Sequence, residues 1–518
     1  MEKVKLVKKW IAGNKLEFGI LLLILVVGAF FRLYRIGEYM TFLGDEGRDA
    51  ILVRRLLVHG DPILIGPGTS IGNMYLGPLY YYLMAPALLL AAFNPVGPAV
   101  EIALLGVATI WLVWYVARVW YGKIAAGVAS ALYAIAPTVI IYARSSWNPN
   151  IMPFFSLLLV FSVWKFWRLR TSRWVIVTAV TFAATLQSHY LALILGPIIV
   201  LFWFLTFISL SVKTTEISDR APLTKFLKNS FIGLFLFIIL MSPLVIFDAR
   251  HGWNNFNAIK VFFSQRQTTV SARPWTALPK LPDLFLQITA RLLTGYNEFV
   301  AKALLVLISV PSLLFLLLMK RVPKNETSGN FILFVWIGLA LVGLGIYKQH
   351  IYDHYFGFFF AAPFLIVGAL VGEVFGHLNR VGKTLSILAF LALAGVNLVA
   401  NPLRFPPNRQ LARSVAVAER IEELAAGEKF NFAVIAERNY EGAYQYFLEK
   451  NNAPFIIVDP LRLDQTVAEA LFVVCELPPE KCDPTHNPKT EVAAFGWSKI
   501  EEQWEEFGVT IYKLAHSQ

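Results

Sequence analysis

Only two of the 518 residues are cysteine and only eight are histidine. With so few cysteines, neither a C-x-x-C spacing nor a Cys/His cluster near them is present to suggest a zinc site. Charge is also thin: 15% of residues are charged and 57% are apolar, against about 25% and 45–50% in a soluble globule. With a mean hydropathy of +0.59, the chain is a polytopic membrane protein. Acid is scarcer than base, 34 residues against 46, leaving a net charge of +12. Such an excess can mark a nucleic-acid binder, but these lysines and arginines lie in short clusters between apolar runs. That is the signature of cytoplasmic loops, and it argues against a nucleic-acid partner.

What is present is a series of hydrocarbon runs. A crossing helix needs roughly 20 apolar residues. Candidates lie near 16–36, 76–93, 98–118, 123–142, 150–168, 174–188, 190–210, 229–247, 299–319, 331–347, 355–376 and 384–400. The first follows the basic MEKVKLVKKW without a small-residue cleavage site, and reads as an uncleaved anchor with a cytoplasmic N-terminus. The basic clusters at Arg118/Lys123, 165–173, 213–228, 320–324 and Arg380/Lys383 all fall inside only if one early candidate does not cross. Segment 76–93, interrupted by Gly77, Pro78 and Pro86, suits an interfacial or re-entrant helix. The expectation is an all-α module over 1–401 with about 11 crossings and interfacial helices, its first outer loop spanning about 37–97.

Residues 402–518 change character and predict a soluble α/β domain on the outer face. FNFAVIAE (430–437), PFIIVD (454–459), LFVVCEL (471–477) and VTIYKLA (509–515) are strand-like, and YEGAYQYFLEKN (440–451) is helix-like. Cys475 and Cys482 are seven apart across ELPPEK. Outside the cell they suit a small structural disulfide, and two free thiols are the plainer alternative.

In this topology the polar residues converge on one side. GDEGRDA (44–50), ARSSWNPN (143–150), LQSHY (186–190), FDARHGWNN (247–255) and YKQHIYDHYF (347–356) all face outward. Each has a structural explanation by itself: capping, a loop stop, an ion pair, an interfacial anchor, or for Arg32 and Arg35 snorkelling at a helix end. Five such loops on one face mark an active site. Asp45 and Glu46 are the catalytic candidates. Arg48, Asp49, Arg144, Asn148, Asn150, His189, Tyr190, Asp248, Arg250, His251, Lys348, Asp353 and His354 are the substrate-binding candidates, with Arg250 the first choice for a phosphate. A carboxylate takes a proton from a hydroxyl, cations hold a phosphate as its charge develops, and apolar helices hold a lipid tail. The stretch after Asp45 has helical spacing suited to the membrane surface, where Asp45 as a helix cap is the structural alternative.

The order of these pieces resembles the GT-C glycosyltransferases of family 39, which include protein O-mannosyltransferases and lipid A aminoarabinose transferases. The likeness rests on Asp45-Glu46 in the first outer loop, the interfacial return, WNPN (147–150) and HYFGFFFAAPF (354–364), and covers roughly 16–400. It implies a polyprenyl-phosphate monosaccharide donor, an inverting transfer to an extracytoplasmic hydroxyl on a glycan, lipid or protein, and Asp45 as base. Relatives can carry aspartate where this chain has Asn148, and this chain has no MIR-type domain and no W-W-D tripeptide.

Two other classes compete: a transporter or flippase for a lipid-linked or anionic substrate, and a membrane anchor displaying the 402–518 domain. Transporters place charge near mid-membrane, whereas the polar residues here sit at the outer ends of spans. No cofactor is expected. Asp45, Glu46, His189 and His354 are of ligand type for a divalent metal, but no ligand spacing demands one. The expected location is the plasma membrane.

Overall fold

The computed structural model describes residues 2–69, 74–212, 221–264, 269–271, 273–307, 324–377 and 379–517. Among the described residues, seven helices are long and apolar enough to cross a bilayer: Lys15–Leu33, Val96–Tyr121, Asn148–Arg168, Tyr190–Val212, Ala221–Arg250, Gly329–Ile346 and Arg380–Val399. The pair Asp353–Phe359 and Ala361–Gly376, bent by 59°, passes the same test as a broken span or a re-entrant loop. Lys123–Ile135 and Trp174–Ser188 are shorter apolar helices at two further expected positions. Most of the span expected at 299–319 lies outside the described residues. The chain is a multi-pass membrane protein.

Segment 76–93 forms a helix only over Leu79–Leu90. Twelve residues at 1.5 Å each give about 18 Å, short of the roughly 30 Å hydrocarbon core. Pro86 lies inside it, and its face of Tyr80, Tyr81, Met84 and Leu88 is buried.

Another break explains a charge. Lys123–Ile135 stops before Pro137, which opens the helix Pro137–Tyr142. Proline has no N–H to donate to the preceding turn. Arg32, completely buried, donates to Ala134 O at 2.9 Å and Tyr133 O at 3.5 Å in that terminal turn. It therefore does not snorkel, because the last turn of a helix is where a cation is favoured.

Residues 410–516 form a five-stranded sheet flanked by helices Gln410–Ala425 and Gly442–Lys450. The strands are β1 (Phe430–Ile435), β2 (Phe455–Ile456), β3 (Ala470–Cys475), β4 (Ser498–Glu506) and β5 (Val509–His516), in the order β2-β1-β3-β5-β4. β1 runs parallel to β2 and β3, and β5 antiparallel to β3 and β4. Cys475 and Cys482 are joined by a disulfide where the chain leaves β3.

One face of this sheet, Phe430, Phe432 and Val434, packs with Val417, Ile421 and Tyr444. The same cluster continues without a gap into Met40, Phe42, Ala50, Val53 and Tyr80, between the helices Lys15–Leu33 and Val96–Tyr121. The C-terminal domain and that segment share one core. The helix Gly44–His59 crosses Gly442–Lys450 closely enough that a Cβ on Gly442 would lie 2.3 Å from Gly44 O, and one on Gly47 2.2 Å from Gly442 C. No side chain fits between these backbones. Arg55 anchors the far end of the crossing, donating to Glu449 at 2.5 Å.

Candidate active site

A cavity of about 920 Å³ opens where the ends of several helices meet the C-terminal domain. Its wall is drawn from residues 41, 43–46, 48, 67–69, 76, 141, 142, 145, 147–150, 189, 190, 287, 291, 350–355, 438 and 440.

Its floor begins at Leu43, whose extended backbone (φ −120°) precedes the helix Gly44–His59. The third helical residue, Glu46, accepts from Leu43 N–H at 3.0 Å, satisfying one of the open N–H groups around the first turn. Capping therefore falls to Glu46 and not to Asp45. Glu46 is buried, and that burial pushes its carboxyl up to about 7 against the pull of the backbone bond. Its carboxyl is engaged with Leu43 N–H and borders the cavity beside Asp45.

Asp45, one residue earlier, faces the cavity. Its Oδ1 accepts from Arg48 Nη1 at 2.8 Å and from the Tyr440 hydroxyl at 2.6 Å. Its Oδ2 has no hydrogen-bond partner among the described residues, and the side chain is 40% exposed. Arg48 spans two acids: Nε and Nη2 donate to Asp49 Oδ1 at 3.0 and 2.7 Å. Asp49 is fully buried and also accepts from the Tyr81 hydroxyl at 3.0 Å. It lies behind the wall, with its carboxyl raised by burial to about 6 and opposed by Arg48.

The other lining groups come from distant loops. Asn148 donates to Ser188 O at 2.7 Å and Asn150 to Ser145 O at 2.8 Å, so both amides tie loops together at the cavity's edge. His189 Nδ1 accepts from Leu191 N–H at 3.2 Å, which in the neutral ring places the proton on Nε2. Its ring stacks on Tyr190 at 4.4 Å and lies 5.7 Å from His354, which meets Trp147 edge-on at 4.6 Å. Asp353 pairs with Arg291 at 3.5 Å.

The structure thus gathers Asp45, Glu46, Arg48, Asn148, Asn150, His189, Tyr190, Asp353 and His354 around one cavity. It does not bring the rest of the expected set there. Arg144 is buried and donates to Phe31 O at 2.5 Å and Tyr34 O at 2.7 Å, closing the end of the first long helix. Asp248 accepts from Asn255 N–H at 2.6 Å and caps the helix Asn254–Ser264. Arg250 and His251 are exposed at the end of Ala221–Arg250, His251 stacked on Phe247 at 3.9 Å, and with Lys348 they do not line the cavity.

Arg291, Arg438 and Tyr440 do line it, and sequence reasoning missed all three. Arg291 rides on the helix Leu281–Leu292, whose buried Leu284, Ile288 and Leu292 have a helical spacing readable in the sequence. Arg438 and Tyr440 belong to the domain that had been set apart from the site. Among the described residues no three His, Cys, Asp or Glu side chains converge as a metal-binding group.

No protein-family profile and no curated protein sequence matches the chain. Solved structures do. ArnT from Cupriavidus metallidurans, bound to undecaprenyl phosphate, superposes with a TM-score of 0.58 at 12% identity, over 97% of this chain and 98% of that one. The oligosaccharyltransferase AglB from Archaeoglobus fulgidus, in complex with an inhibitory peptide and a dolichol-phosphate, superposes with a TM-score of 0.53 at 13% identity, over 90% and 70%. The fold is GT-C. The GT-C likeness to ArnT extends through the C-terminal domain, beyond the 16–400 expected from sequence.

Proposed function

We propose that this protein is an inverting membrane glycosyltransferase. It moves a monosaccharide from a polyprenyl-phosphate donor to a hydroxyl on the outer face, with Asp45 as the base. One observation carries the reading: a carboxylate with one oxygen held and the other unclaimed sits in a cavity edged by Arg48, Arg291 and Arg438. The acceptor hydroxyl gives its proton to Asp45 Oδ2 as its oxygen bonds to the sugar's anomeric carbon. The bond from that carbon to the phosphate oxygen breaks on the opposite face, and its electron pair leaves on the polyprenyl phosphate. Such a leaving group needs no strong acid, only cations to meet the growing charge. The lipid-bound GT-C neighbours support a lipid-linked donor in kind. The basic clusters support a cytoplasmic N-terminus with the cavity outside.

The test is single-turnover reaction of the purified protein with a panel of decaprenyl-phosphate-linked hexoses and pentoses and hydroxyl acceptors. Transfer releases free decaprenyl phosphate and a glycosylated product. Asp45→Asn should bind decaprenyl phosphate as before and lose on the order of 10²–10⁴ in rate. Movement of the intact donor across vesicles without cleavage would replace this reading with a flippase.

A further inference from the structure

Asp45 and Tyr440 come from opposite ends of the chain, 395 residues apart. Oδ1 of Asp45 receives both the Tyr440 hydroxyl and Arg48 Nη1, and Arg48 Nη1 also donates to the Tyr440 oxygen at 3.1 Å. The three groups close a triangle on one carboxylate oxygen. A carboxylate otherwise turns about a broad torsional minimum, and two bonds to the same oxygen fix where the other points.

Tyr440 is itself held. Its ring lies over Gly44, where a Cβ would come within 2.3 Å of it. Asn439 Oδ1 accepts from both Tyr440 N–H and Gly44 N–H at 2.9 Å. Asn439 Nδ2 donates to Glu476 at 2.6 Å, beside the disulfide that closes the end of β3. Burial raises the Tyr440 hydroxyl above its ordinary range, which keeps its proton in place for donation.

We propose that Tyr440 is a positioning residue for the base, holding Asp45 so that Oδ2 meets the acceptor, and that the C-terminal domain thereby completes the transferase site. This rests on the reading of Asp45 as base.

The experiment uses full-length protein in detergent: Tyr440→Phe, Asp45→Asn and the double variant. Each is measured for thermal midpoint, decaprenyl phosphate affinity and single-turnover transfer from the panel donor that reacts. Tyr440→Phe keeps the ring on Gly44 and loses the hydroxyl. We expect kcat to fall about 10–100-fold, the scale of a misplaced reacting group, with midpoint and affinity unchanged. In the Asp45→Asn background the same change should have no further effect. Full kcat in Tyr440→Phe beside an inactive Asp45→Asn overturns the positioning role and leaves the base standing. An equal slowing by Tyr440→Phe with and without Asp45 shows independent action and also overturns it. Wild-type transfer by Asp45→Asn removes the base and the positioning role together, a distinct pattern. If Tyr440→Phe fails to fold, Asn439→Ser frees the loop from Glu476 without touching Asp45. It must then lower kcat at constant decaprenyl phosphate affinity, and unchanged kcat overturns the proposal.

Discussion

Three acids within five residues stand in three different surroundings, and those surroundings are testable one residue at a time. Glu46 has its carboxyl raised from an ordinary 4.5 to about 7 by burial. The folded state therefore binds that proton more tightly than the unfolded chain. Its contribution to stability is fully present below pH 4.5 and is lost as pH rises through 7. At about 1.4 kcal/mol per pH unit, the loss reaches about 3 kcal/mol. Glu46→Gln keeps an oxygen for Leu43 N–H and removes the titration. Its thermal midpoint should stay flatter than wild type between pH 4.5 and 7.5, and a parallel decline would refute the assignment. The cations divide in the same way. Arg438→Ala and Arg291→Ala should each weaken decaprenyl phosphate binding by about 1.5–3 kcal/mol, the range for a hydrogen bond to a charged group. Arg250→Ala, outside the cavity lining, should leave it unchanged.

At the scale of elements, the helix crossing at Gly44, Gly47 and Gly442 decides whether the two halves of the site meet. Gly442→Val puts a branched side chain against backbone that cannot retreat. We expect a cost of about 1–3 kcal/mol, read as a lower thermal midpoint and faster proteolytic cleavage near residues 405–409. Unchanged protection would show that the crossing tolerates separation. This contact was illegible in the sequence because glycine gives no hydrophobic period. The spans, by contrast, were legible, since a bilayer demands long apolar runs, and so were four of the five strands. β4, SKIEEQWEE, was missed: its residues are mostly exposed at the sheet edge, and a charged edge strand carries no alternation to read. Asp45 stood out as an acid beside hydrocarbon. Tyr440 did not, because one tyrosine among 19 acquires its meaning only from what the fold sets against it.

For the whole molecule, sidedness and chemistry remain linked. A reporter fused after Gln518 should label from outside and one near Asn325 from inside. Labelling of both ends of the chain from the cytoplasm would require the short Leu79–Leu90 segment to cross. We also expect transfer to survive EDTA, because Asp45 and Glu46 already answer to Arg48, Tyr440 and Leu43. Abolition by EDTA with rescue by a divalent ion would reverse that expectation. One consequence of the Asp45–Tyr440 contact concerns time. A ribosome adding about 5–20 residues per second needs roughly 20–80 s to travel the 395 residues between them. Throughout that interval the Asp45 carboxylate has Arg48 beside it but not the Tyr440 hydroxyl. On the proposed reading, transfer stays about 10–100-fold below its final rate until Tyr440 has been made and folded into place.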